Sequence, residues 1–305
     1  MGKTIPSPAP RIELLSSPDW QEYELLDSGN GLKLERYGPY RFIRPEPEAV
    51  WSPARSEKEW KSADAEFKPS PEENGGHWVY AHPLPDSWTM RYRGLKFRVQ
   101  TTASRHVGVF PEQAVQWDWI QEQIQAARRP LKVLNLFGYT GLATIAAAAA
   151  GAEVTHVDAS KKVITWAREN LELSGLKDRS VRWIVDDALK FVQREARRGA
   201  FYDGIILDPP KFGRGPKGEV WEFYKLIPNL LQACRDVVTE KPQFILMTAY
   251  AVKASSVTLH YALEDMMKGF AGQVSAGEVA LQDHGSGRYI SMAIYCRWSA
   301  VEVRP

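Results

Sequence analysis

The stretch from Leu134 to Ser160, LNLFGYTGLATIAAAAAGAEVTHVDAS, decides the fold of this 305-residue chain. It contains a hydrophobic run, a loop with two glycines, an alanine-rich segment and a second hydrophobic run that ends on Asp158. This order predicts a strand, a tight turn, a helix and a second strand. Gly138 and Gly141 would let the turn approach a ligand closely, or they would serve only a tight turn and close helix packing.

Strand and helix patterns alternate on both sides of this unit. Helical spacing over AVQWDWIQEQIQAA precedes it, and further strand patterns, each followed by a helix pattern, continue to about Gly269. The strands near residues 134, 154, 205 and 245 are continuous apolar runs, which is typical of parallel strands covered by helices on both faces. The last two strands have only residues 282–288 between them, which requires an antiparallel hairpin. We therefore predict an α/β fold with a doubly wound, seven-stranded, mainly parallel, Rossmann-like sheet and an antiparallel terminal hairpin.

Residues 1–105 differ in composition from the rest. They are rich in proline, tryptophan, tyrosine and glycine, and they predict short strands in YELLDSGNGLKLERYGPYRFIRP, HWVYAH and WTMRYRGLKFRVQTT. The first segment predicts two strands joined by a turn over residues 27–31, and the third predicts a turn near Arg93-Gly94. The polar segment over residues 53–76 predicts a surface loop. We expect a small β-rich domain over 1–105 and a larger α/β domain over 106–305.

The composition is that of an ordinary globular protein, with 44% hydrophobic and 25% charged residues. A net charge of +2 excludes a strongly cationic nucleic-acid coat protein, although local basic patches can still bind an anion. Cys234 and Cys296 form no CxxC pair, which argues against a disulfide framework or a structural zinc site. The sequence has neither a signal-peptide pattern nor a long apolar run. We expect a cytoplasmic monomer or homodimer with no membrane segment and no metal.

Acidic residues follow the predicted strands at the edge where ligands of open α/β sheets bind. Asp158 ends the second strand and could accept hydrogen bonds from both ribose hydroxyls of a nucleoside, unless it only caps the next helix, a task that Ser160 could also perform. One carboxylate of Asp186-Asp187, after the third strand, could accept from an adenine amino group. Asp187 is equally well placed as the N-cap of the following helix.

The segment Asp208–Phe212, DPPKF, ends the fourth strand and is the most informative. Its prolines lack N–H donors and hold the backbone extended, so their carbonyls would point into the site as acceptors. An amine could donate to Asp208 and to the Pro209 carbonyl, which would orient the nitrogen lone pair toward a methyl donor. Phe212 could stack on a flat base, and the basic KFGRGPKG stretch, predicted to be a mobile loop, could hold substrate. A plain turn that stops the strand is the alternative.

Two adenosine cofactors fit the glycine loop and Asp158: a nicotinamide dinucleotide and S-adenosylmethionine. The loop is not G-x-G-x-x-G, because Ala143 stands where the last glycine would be, so a pyrophosphate cradle is less well supported. A dinucleotide-binding domain would usually continue with another βαβ unit instead of a hairpin. The hairpin and the Asp-Pro-Pro segment favour S-adenosylmethionine. An NAD-dependent oxidoreductase and a catalytically silent binding protein are the alternatives from other classes.

Three stretches resemble a known family: VLNLFGYTGLATIAAAAAGAEVTHVDASKKVITWARENLELSGL, DDALKF and FYDGIILDPPKFG. They are similar to the class I S-adenosylmethionine-dependent methyltransferases related to the large-ribosomal-RNA cytosine-C5 and guanine-N7 enzymes, over roughly residues 100–300. VGVFPEQ is similar to the G-x-F-x-D-x-R stretch of that family, which lies against the cofactor, but Glu112-Gln113 departs from it. The resemblance implies S-adenosyl-L-methionine as cofactor, an S-adenosylmethionine-binding methyltransferase domain over 106–305, and RNA, ribosomal RNA above all, as a substrate partner.

Three sets of site residues follow from the motifs and the resemblance. The expected cofactor-binding residues are Phe110, Gln113, Asn135, Phe137, Gly138, Tyr139, Thr140, Gly141, Asp158, Ala159, Ser160, Asp187, Ala188 and Asp208. The expected catalytic residues are Asp208, Pro209, Pro210 and Phe212. The expected substrate-binding residues are Lys211, Phe212, Arg214 and Tyr250.

The sequence departs from the cytosine-C5 enzymes in one important place. Those enzymes carry a nucleophilic cysteine after the fifth strand, where this chain has Met247-Thr248-Ala249-Tyr250. Methylation at C5 needs a thiolate that attacks C6, and Cys234, in a predicted helix interior, and Cys296, in the terminal hairpin, are poorly placed. We therefore expect transfer to nitrogen rather than to C5. Because no RNA-binding module of the PUA type is recognised, a small molecule or a protein side chain is the alternative acceptor.

Overall fold

The computed structural model describes residues 9–17, 20–70 and 75–301 of the chain. The first third is rich in strands, as its composition predicts. Its elements are β1 (Ile12–Ser16), β2 (Tyr23–Gly29), β3 (Leu32–Tyr37), β4 (Tyr40–Pro45), α1 (Glu57–Trp60), β5 (Ala65–Pro69), β6 (Gly76–Tyr80), β7 (Trp88–Tyr92) and β8 (Leu95–Val99).

The rest of the chain alternates helices and strands. After a 3-10 turn (Pro111–Gln113) come α2 (Ala114–Ala126), β9 (Lys132–Leu136), α3 (Leu142–Ala149), β10 (Glu153–Asp158), α4 (Lys161–Leu173), β11 (Val181–Val185), α5 (Ala188–Arg197), β12 (Gly204–Leu207), β13 (Phe212–Arg214), β14 (Val220–Glu222), α6 (Phe223–Arg235), β15 (Phe244–Ala249), α7 (Ser256–Met266), β16 (Gly272–Gln282) and β17 (Tyr289–Ala300).

The central sheet confirms the predicted topology. Its strands lie in the order β1-β16-β17-β15-β12-β9-β10-β11. The strands β15, β12, β9, β10 and β11 are parallel neighbours, and β17 runs antiparallel between β15 and β16. The α/β region thus makes the expected mainly parallel sheet with a closing hairpin. Among the described residues β1 adds an eighth strand, parallel to β16, which the sequence did not indicate.

Alternate side chains of the central strands fill two cores, one on each face of the sheet. Val133 of β9 packs in the core that α2 and α3 cover, whereas its neighbour Leu134 packs in the core that α5, α6 and α7 cover. Ile206 and Ile205 of β12 divide in the same way. Each such buried side chain contributes roughly 1.5–3 kcal/mol. Helices on both faces therefore explain why these strands are continuous apolar runs.

The link between β16 and β17 is a tight turn organised by one carboxylate. Asp283 Oδ1 accepts hydrogen bonds from the backbone N–H groups of Gly285 at 2.7 Å and Ser286 at 3.1 Å. The hydroxyl of Ser28, in β2, donates to the other carboxylate oxygen. The turn is therefore fixed to the N-terminal sheet, and the predicted antiparallel hairpin is confirmed.

The N-terminal sheet, in the order β2-β3-β4-β5-β6, differs from the sequence prediction at two turns. The chain reverses at Asn30-Gly31, whose φ angles of 53° and 77° suit a type I′ hairpin turn, so β2 continues to Gly29 instead of ending before residue 27. A second reversal at Gly38, with φ 61°, divides the predicted second strand into β3 and β4. The turn near Arg93-Gly94 between β7 and β8 is confirmed.

The prediction of a surface loop over residues 53–76 is wrong, because the described part of this segment contains α1 and β5. Ser56 and Glu59 form a capping box that starts α1. Phe67 of β5 is buried, and its ring lies 5.3 Å from that of Trp78 in β6. Polar residues hid an alternating pattern in this strand. Residues 71–74 of the segment lie outside the described residues.

Aromatic side chains join the N-terminal region to the α/β region. The Trp20 ring centroid lies 5.1 Å from that of Tyr92 in β7 and 6.0 Å from that of Trp117 in α2. Three aromatic rings in mutual edge contact add roughly 0.5–1.5 kcal/mol per pair to the area that they bury. These contacts pack the N-terminal region against α2. The domain division at residue 105 stays a prediction.

Candidate active site

A cleft opens at the carboxyl ends of β9, β12 and β15. It encloses about 520 Å³ of space, part of it open to solvent. Ligands of open α/β sheets bind at this edge. The cleft brings together a subset of the predicted site residues: Phe110, Gln113, Asn135, Phe137, Gly138, Tyr139, Thr140, Gly141 and Asp208.

The glycine loop has an unusual backbone. Phe137, Tyr139 and Gly141 all have positive φ angles, of 59°, 48° and 87°. Such angles are uncommon for residues other than glycine. The Tyr139 N–H donates to Asp158 Oδ2 at 3.0 Å, and the Gly138 N–H donates to the Val157 carbonyl at 3.1 Å. The end of β10 therefore holds the loop in this conformation.

Both glycines are required by packing behind the loop. A Cβ on Gly138 would lie 2.3 Å from Cε1 of His156, and a Cβ on Gly141 would lie 2.8 Å from the Cβ of Ala167. The close-packing interpretation therefore describes what these two residues contact. Because both residues are small, the loop packs closely on His156 and Ala167 and forms one wall of the cleft.

A buried polar chain supports the loop from below. Asn135 Nδ2 donates to Thr144 Oγ1 at 2.9 Å, and that oxygen lies 2.9 Å from Nδ1 of His156. Burial lowers the pKa of His156 to about 3, so the imidazole is neutral. The Asn135 amide is thus engaged within the protein. The only sequence signal for His156 was a lone histidine in an apolar strand.

Asp158 lies next to the cleft lining and is already hydrogen-bonded. Its Oδ1 accepts from the Ser160 N–H at 2.9 Å, while Oδ2 holds the glycine loop. Burial raises the pKa of Asp158, and the backbone N–H donors oppose that rise. Each carboxylate oxygen has a second lone pair, so the predicted contact with ribose hydroxyls stays open. Ser160 itself caps α4, with Ala159 between the two.

Asp187 caps a helix, as the alternative interpretation had it. Its carboxylate accepts from the Lys190 N–H at 2.9 Å at the start of α5, which begins with Ala188. Asp186 forms an ion pair with Arg194. None of these residues lines the cleft, and the predicted contact of Asp187 with adenine stays a prediction.

Asp208 lies on the floor of the cleft with a perturbed side chain. Burial, followed by the charge of Glu112, raises its pKa to about 8. Among the described residues, no hydrogen bond to its carboxyl group contributes to this pKa shift. An N–H donor or a cation that enters the cleft would stabilise the ionised form of this carboxyl group and lower its pKa.

The segment after Asp208 differs from its prediction. The Trp221 indole N–H donates to the Pro210 carbonyl at 2.6 Å, so the expectation that both proline carbonyls are free acceptors is wrong for Pro210. The KFGRGPKG stretch is not a mobile loop, since β13 and β14 pair as a hairpin. Glu219 in this hairpin bonds to Lys190 of α5 at 2.8 Å. The sixth helix accordingly begins at Phe223, after β14.

The predicted substrate residues lie outside the cleft lining. Phe212 is 60% exposed, and the Lys211 ammonium lies 5.3 Å from its ring centroid. Arg214 ends β13 and is also exposed. Tyr250 accepts a hydrogen bond from Gln113 Nε2 at 2.8 Å, which joins the end of β15 to the 3-10 turn.

Glu112 is the residue that the sequence analysis missed. Its side chain is 2% exposed, and Oε1 has no partner among the described residues. Burial raises the pKa of Glu112, and a hydrogen bond between its carboxyl group and the Tyr250 side chain opposes that rise. The only available signal was a carboxylate inside the apolar stretch VGVFPEQ, where it was noted merely as a departure from a motif.

Neither cysteine can act as a nucleophile in this cleft. Cys234 lies inside α6 and Cys296 in β17, as predicted, and both are completely buried. Burial raises the pKa of both thiols well above the usual range, so they stay protonated. Within the described ranges, no cluster of three or more potential metal ligands occurs and no helix is long and apolar enough to span a bilayer.

The sheet, the glycine loop and Asp208 at the end of β12 define a class I S-adenosylmethionine-dependent methyltransferase. The chain belongs to the S-adenosylmethionine-dependent methyltransferase family, whose family model matches residues 52–265. Its cofactor is S-adenosylmethionine. The residues present suit this cofactor, because the partnerless carboxyl group of Asp208 on the cleft floor matches a cation such as a sulfonium.

Individual relatives agree with this assignment. The crystal structure of an S-adenosylmethionine-dependent methyltransferase from Agrobacterium tumefaciens is 45% identical, with a TM-score of 0.92, over 99% of this chain and 98% of that one. SMU.776, a candidate methyltransferase solved with S-adenosylhomocysteine, shares the fold with a TM-score of 0.69 at 19% identity, over 88% of this chain and 71% of that chain.

A ribosomal RNA large subunit methyltransferase K/L from Shewanella sp. (strain ANA-3) is 34% identical over 128 residues. That match covers 41% of this chain and 17% of the relative, so the chain corresponds to a small part of that longer protein.

Proposed function

We propose that this methyltransferase transfers its methyl group to a nitrogen of a nucleobase in RNA. The observation that carries the proposal is the Asp208 carboxyl group, which lies on the cleft floor with no hydrogen-bond partner among the described residues and with its pKa raised to about 8. An exocyclic amine can donate a hydrogen bond to this carboxyl group. Similarity to ribosomal RNA methyltransferases supports RNA as the carrier of that amine.

In this proposal Asp208 orients the acceptor. S-adenosylmethionine, when bound, supplies a methyl group that its sulfonium makes electrophilic. Asp208 accepts an N–H of the amine and directs the nitrogen lone pair at the methyl carbon. The nitrogen–carbon bond forms as the carbon–sulfur bond breaks, and the bonding pair stays on sulfur. The surplus proton of the nitrogen passes to Asp208, whose pKa of about 8 suits a base near neutrality.

The remaining predicted residues take supporting roles. Phe137 to Gly141 would contact the methionine end of the cofactor, Asp158 its ribose and Asp187 its adenine. The exposed ring of Phe212 offers a face for stacking, and Lys211 and Arg214 beside it suit phosphate contacts. Transfer to nitrogen needs no thiolate, which agrees with the burial of both cysteines.

The test uses RNA from cells that lack the gene. The purified protein is incubated with this RNA and S-adenosylmethionine labelled in the methyl group, and the digested nucleosides are analysed by mass spectrometry. We expect the label in an N-methylated nucleoside of ribosomal RNA. Asp208→Asn should lower the rate by about 100-fold or more while S-adenosylhomocysteine still binds, and Asp236→Asn on the exposed end of α6 is the matched control. Label on C5, or no label in any nucleoside of the RNA, would overturn the proposal.

A further inference from the structure

A second cavity adjoins the cofactor cleft on the side of the N-terminal sheet. It encloses about 910 Å³, part of it open to solvent. Lys33 of β3, Arg44 of β4 and Met292 of β17 contribute to its walls, together with Tyr250. Val109 and Phe110 line both the cavity and the cleft. The stretch that contains Phe110 therefore separates the two spaces.

Aromatic rings of the cleft and of the cavity meet at Phe110. The centroid of Phe110 lies 5.5 Å from that of Tyr139 in the cleft, and 5.2 Å and 5.0 Å from those of Tyr250 and His106 in the cavity. Burial lowers the pKa of His106 to about 3, so its ring is neutral. Flat uncharged faces of this kind suit the stacking of a heterocycle.

Two cations of the cavity wall, Lys33 and Arg44, are already neutralised. Arg44 donates to both oxygens of Glu35, each at 2.7 Å, and Lys33 lies 3.2 Å from Glu46. A further Arg44 N–H donates to the Arg105 carbonyl at 3.1 Å, which fixes the chain next to His106. An anionic ligand would have to compete with these ion pairs. The interior of the cavity thus suits a neutral ligand better than a free carboxylate or phosphate.

One buried acceptor in the wall lacks a partner. Glu112 lines the cavity and is 2% exposed, and its Oε1 has no hydrogen bond within the described residues. Leaving a buried polar atom unpaired costs about 1–3 kcal/mol, and more for a charged group. A ligand that brings an N–H donor to Oε1 would recover this energy.

We propose that this cavity receives the acceptor base, and that Glu112 selects a nucleobase with an exocyclic amino group. The inference rests on the proposed function. An amino group presents an N–H donor to Glu112, with the ring stacked on the aromatic side chains near Phe110. Uracil has no amino group, and the carbonyl oxygens beside its ring N–H would face the carboxylate and repel it. Glu112 thus acts in substrate recognition, whereas Asp208 accepts the other N–H of the same amino group, whose nitrogen is methylated.

Calorimetry on the protein saturated with S-adenosylhomocysteine tests this inference without turnover. Cytidine, adenosine, guanosine and uridine are titrated separately. We expect at least one nucleoside with an amino group to bind about 10-fold or more tightly than uridine. Glu112→Gln and Glu112→Ala should each weaken that binding by about 10-fold. Glu153→Gln, on an exposed residue at the opposite end of β10, is the matched control and should bind like the unmodified protein.

Three outcomes would overturn the inference. Uridine could bind as well as the other nucleosides, the Glu112 variants could bind all nucleosides normally, or these variants could lose S-adenosylhomocysteine instead, which would place Glu112 in the cofactor site. Melting curves establish that each variant is folded. The labelling experiment with RNA decides the proposed function separately: methyl transfer to RNA nitrogen with normal nucleoside binding by Glu112→Gln would remove only this inference.

Discussion

We expect the raised pKa of Asp208 to make the binding of S-adenosylmethionine depend on pH. Burial, and after it the charge of Glu112, holds this pKa at about 8 in the unliganded protein. A carboxyl group with that pKa is about 1% ionised at pH 6, about 50% at pH 8 and about 90% at pH 9. The sulfonium of S-adenosylmethionine carries a positive charge and S-adenosylhomocysteine lacks it. Only the former therefore gains from an ionised Asp208.

The magnitude follows from the ionised fraction. When a ligand binds one form of a protein, its apparent affinity scales with the population of that form. We expect the dissociation constant of S-adenosylmethionine to fall about 50-fold from pH 6 to pH 8, and less than about 2-fold from pH 8 to pH 9. S-adenosylhomocysteine should change little over the same range. Asp208→Asn should remove the pH dependence, because an amide does not titrate there.

Calorimetry at several pH values between 6 and 9 measures both ligands. The ratio of their affinities cancels the titration of the amino and carboxyl groups that they share. A ratio that stays constant from pH 6 to pH 8 would refute the assigned position of Asp208 near the sulfonium. The same would hold if Asp208→Asn kept the slope of the unmodified protein.

The same titration affects the stability of the unliganded fold. The pKa of Asp208 is higher in the folded protein, about 8, than the ordinary value of 3.8. Its contribution to stability is therefore fully present below about pH 4 and is lost as the pH rises through about 8. Asp208→Asn should lose less stability than the unmodified protein over this range, as measured by urea unfolding at each pH.

Two further variants test the packing of the loop and the absence of a thiol nucleophile. Gly138→Ala should lower the free energy of unfolding by about 1–3 kcal/mol, because the new methyl would lie 2.3 Å from the His156 ring. Gly94→Ala, where a Cβ meets nothing within 4 Å, is its control, and equal melting temperatures would contradict the packing argument. Joint replacement of Cys234 and Cys296 by alanine should keep kcat within about 2-fold, and a loss of about 100-fold would reinstate covalent catalysis.

The α/β sheet could be predicted because its signals are local. Strands such as that of Leu134 are continuous apolar runs, and the link over residues 282–288 is too short for anything but a hairpin. The eighth strand, β1, could not be predicted, since IELLS is short and gains its place only by pairing with β16 far along the chain. In β5 the alternation of Ala65 and Phe67 with charged residues was present but was outweighed by the polar surroundings.

The functional site also contains residues that could be predicted from the sequence and residues that could not. Acids at strand ends, such as Asp208, could be placed together because the topology of a parallel sheet brings its carboxyl ends to one edge. The absence of a hydrogen-bond partner for Glu112 Oε1 among the described residues could not be foreseen. It arises where the 3-10 turn meets the end of β15, in a contact of Gln113 and Tyr250 that joins positions 137 residues apart. A sequence pattern cannot indicate that a side-chain oxygen will lack a hydrogen-bond partner once such a contact has formed.

The pairing of β1 with β16, and the bond from Ser28 to Asp283, concern how the chain is made as well as how it is held. Ser28 and Asp283 are 255 residues apart in the sequence. A ribosome that adds about 5–20 residues per second needs about 13–50 s to cover that distance. During this interval β1 has no neighbour and the N-terminal sheet lacks one of its anchors. Nascent chains therefore expose an unpaired strand until the last hairpin emerges, and the docking of β1 completes the sheet only then.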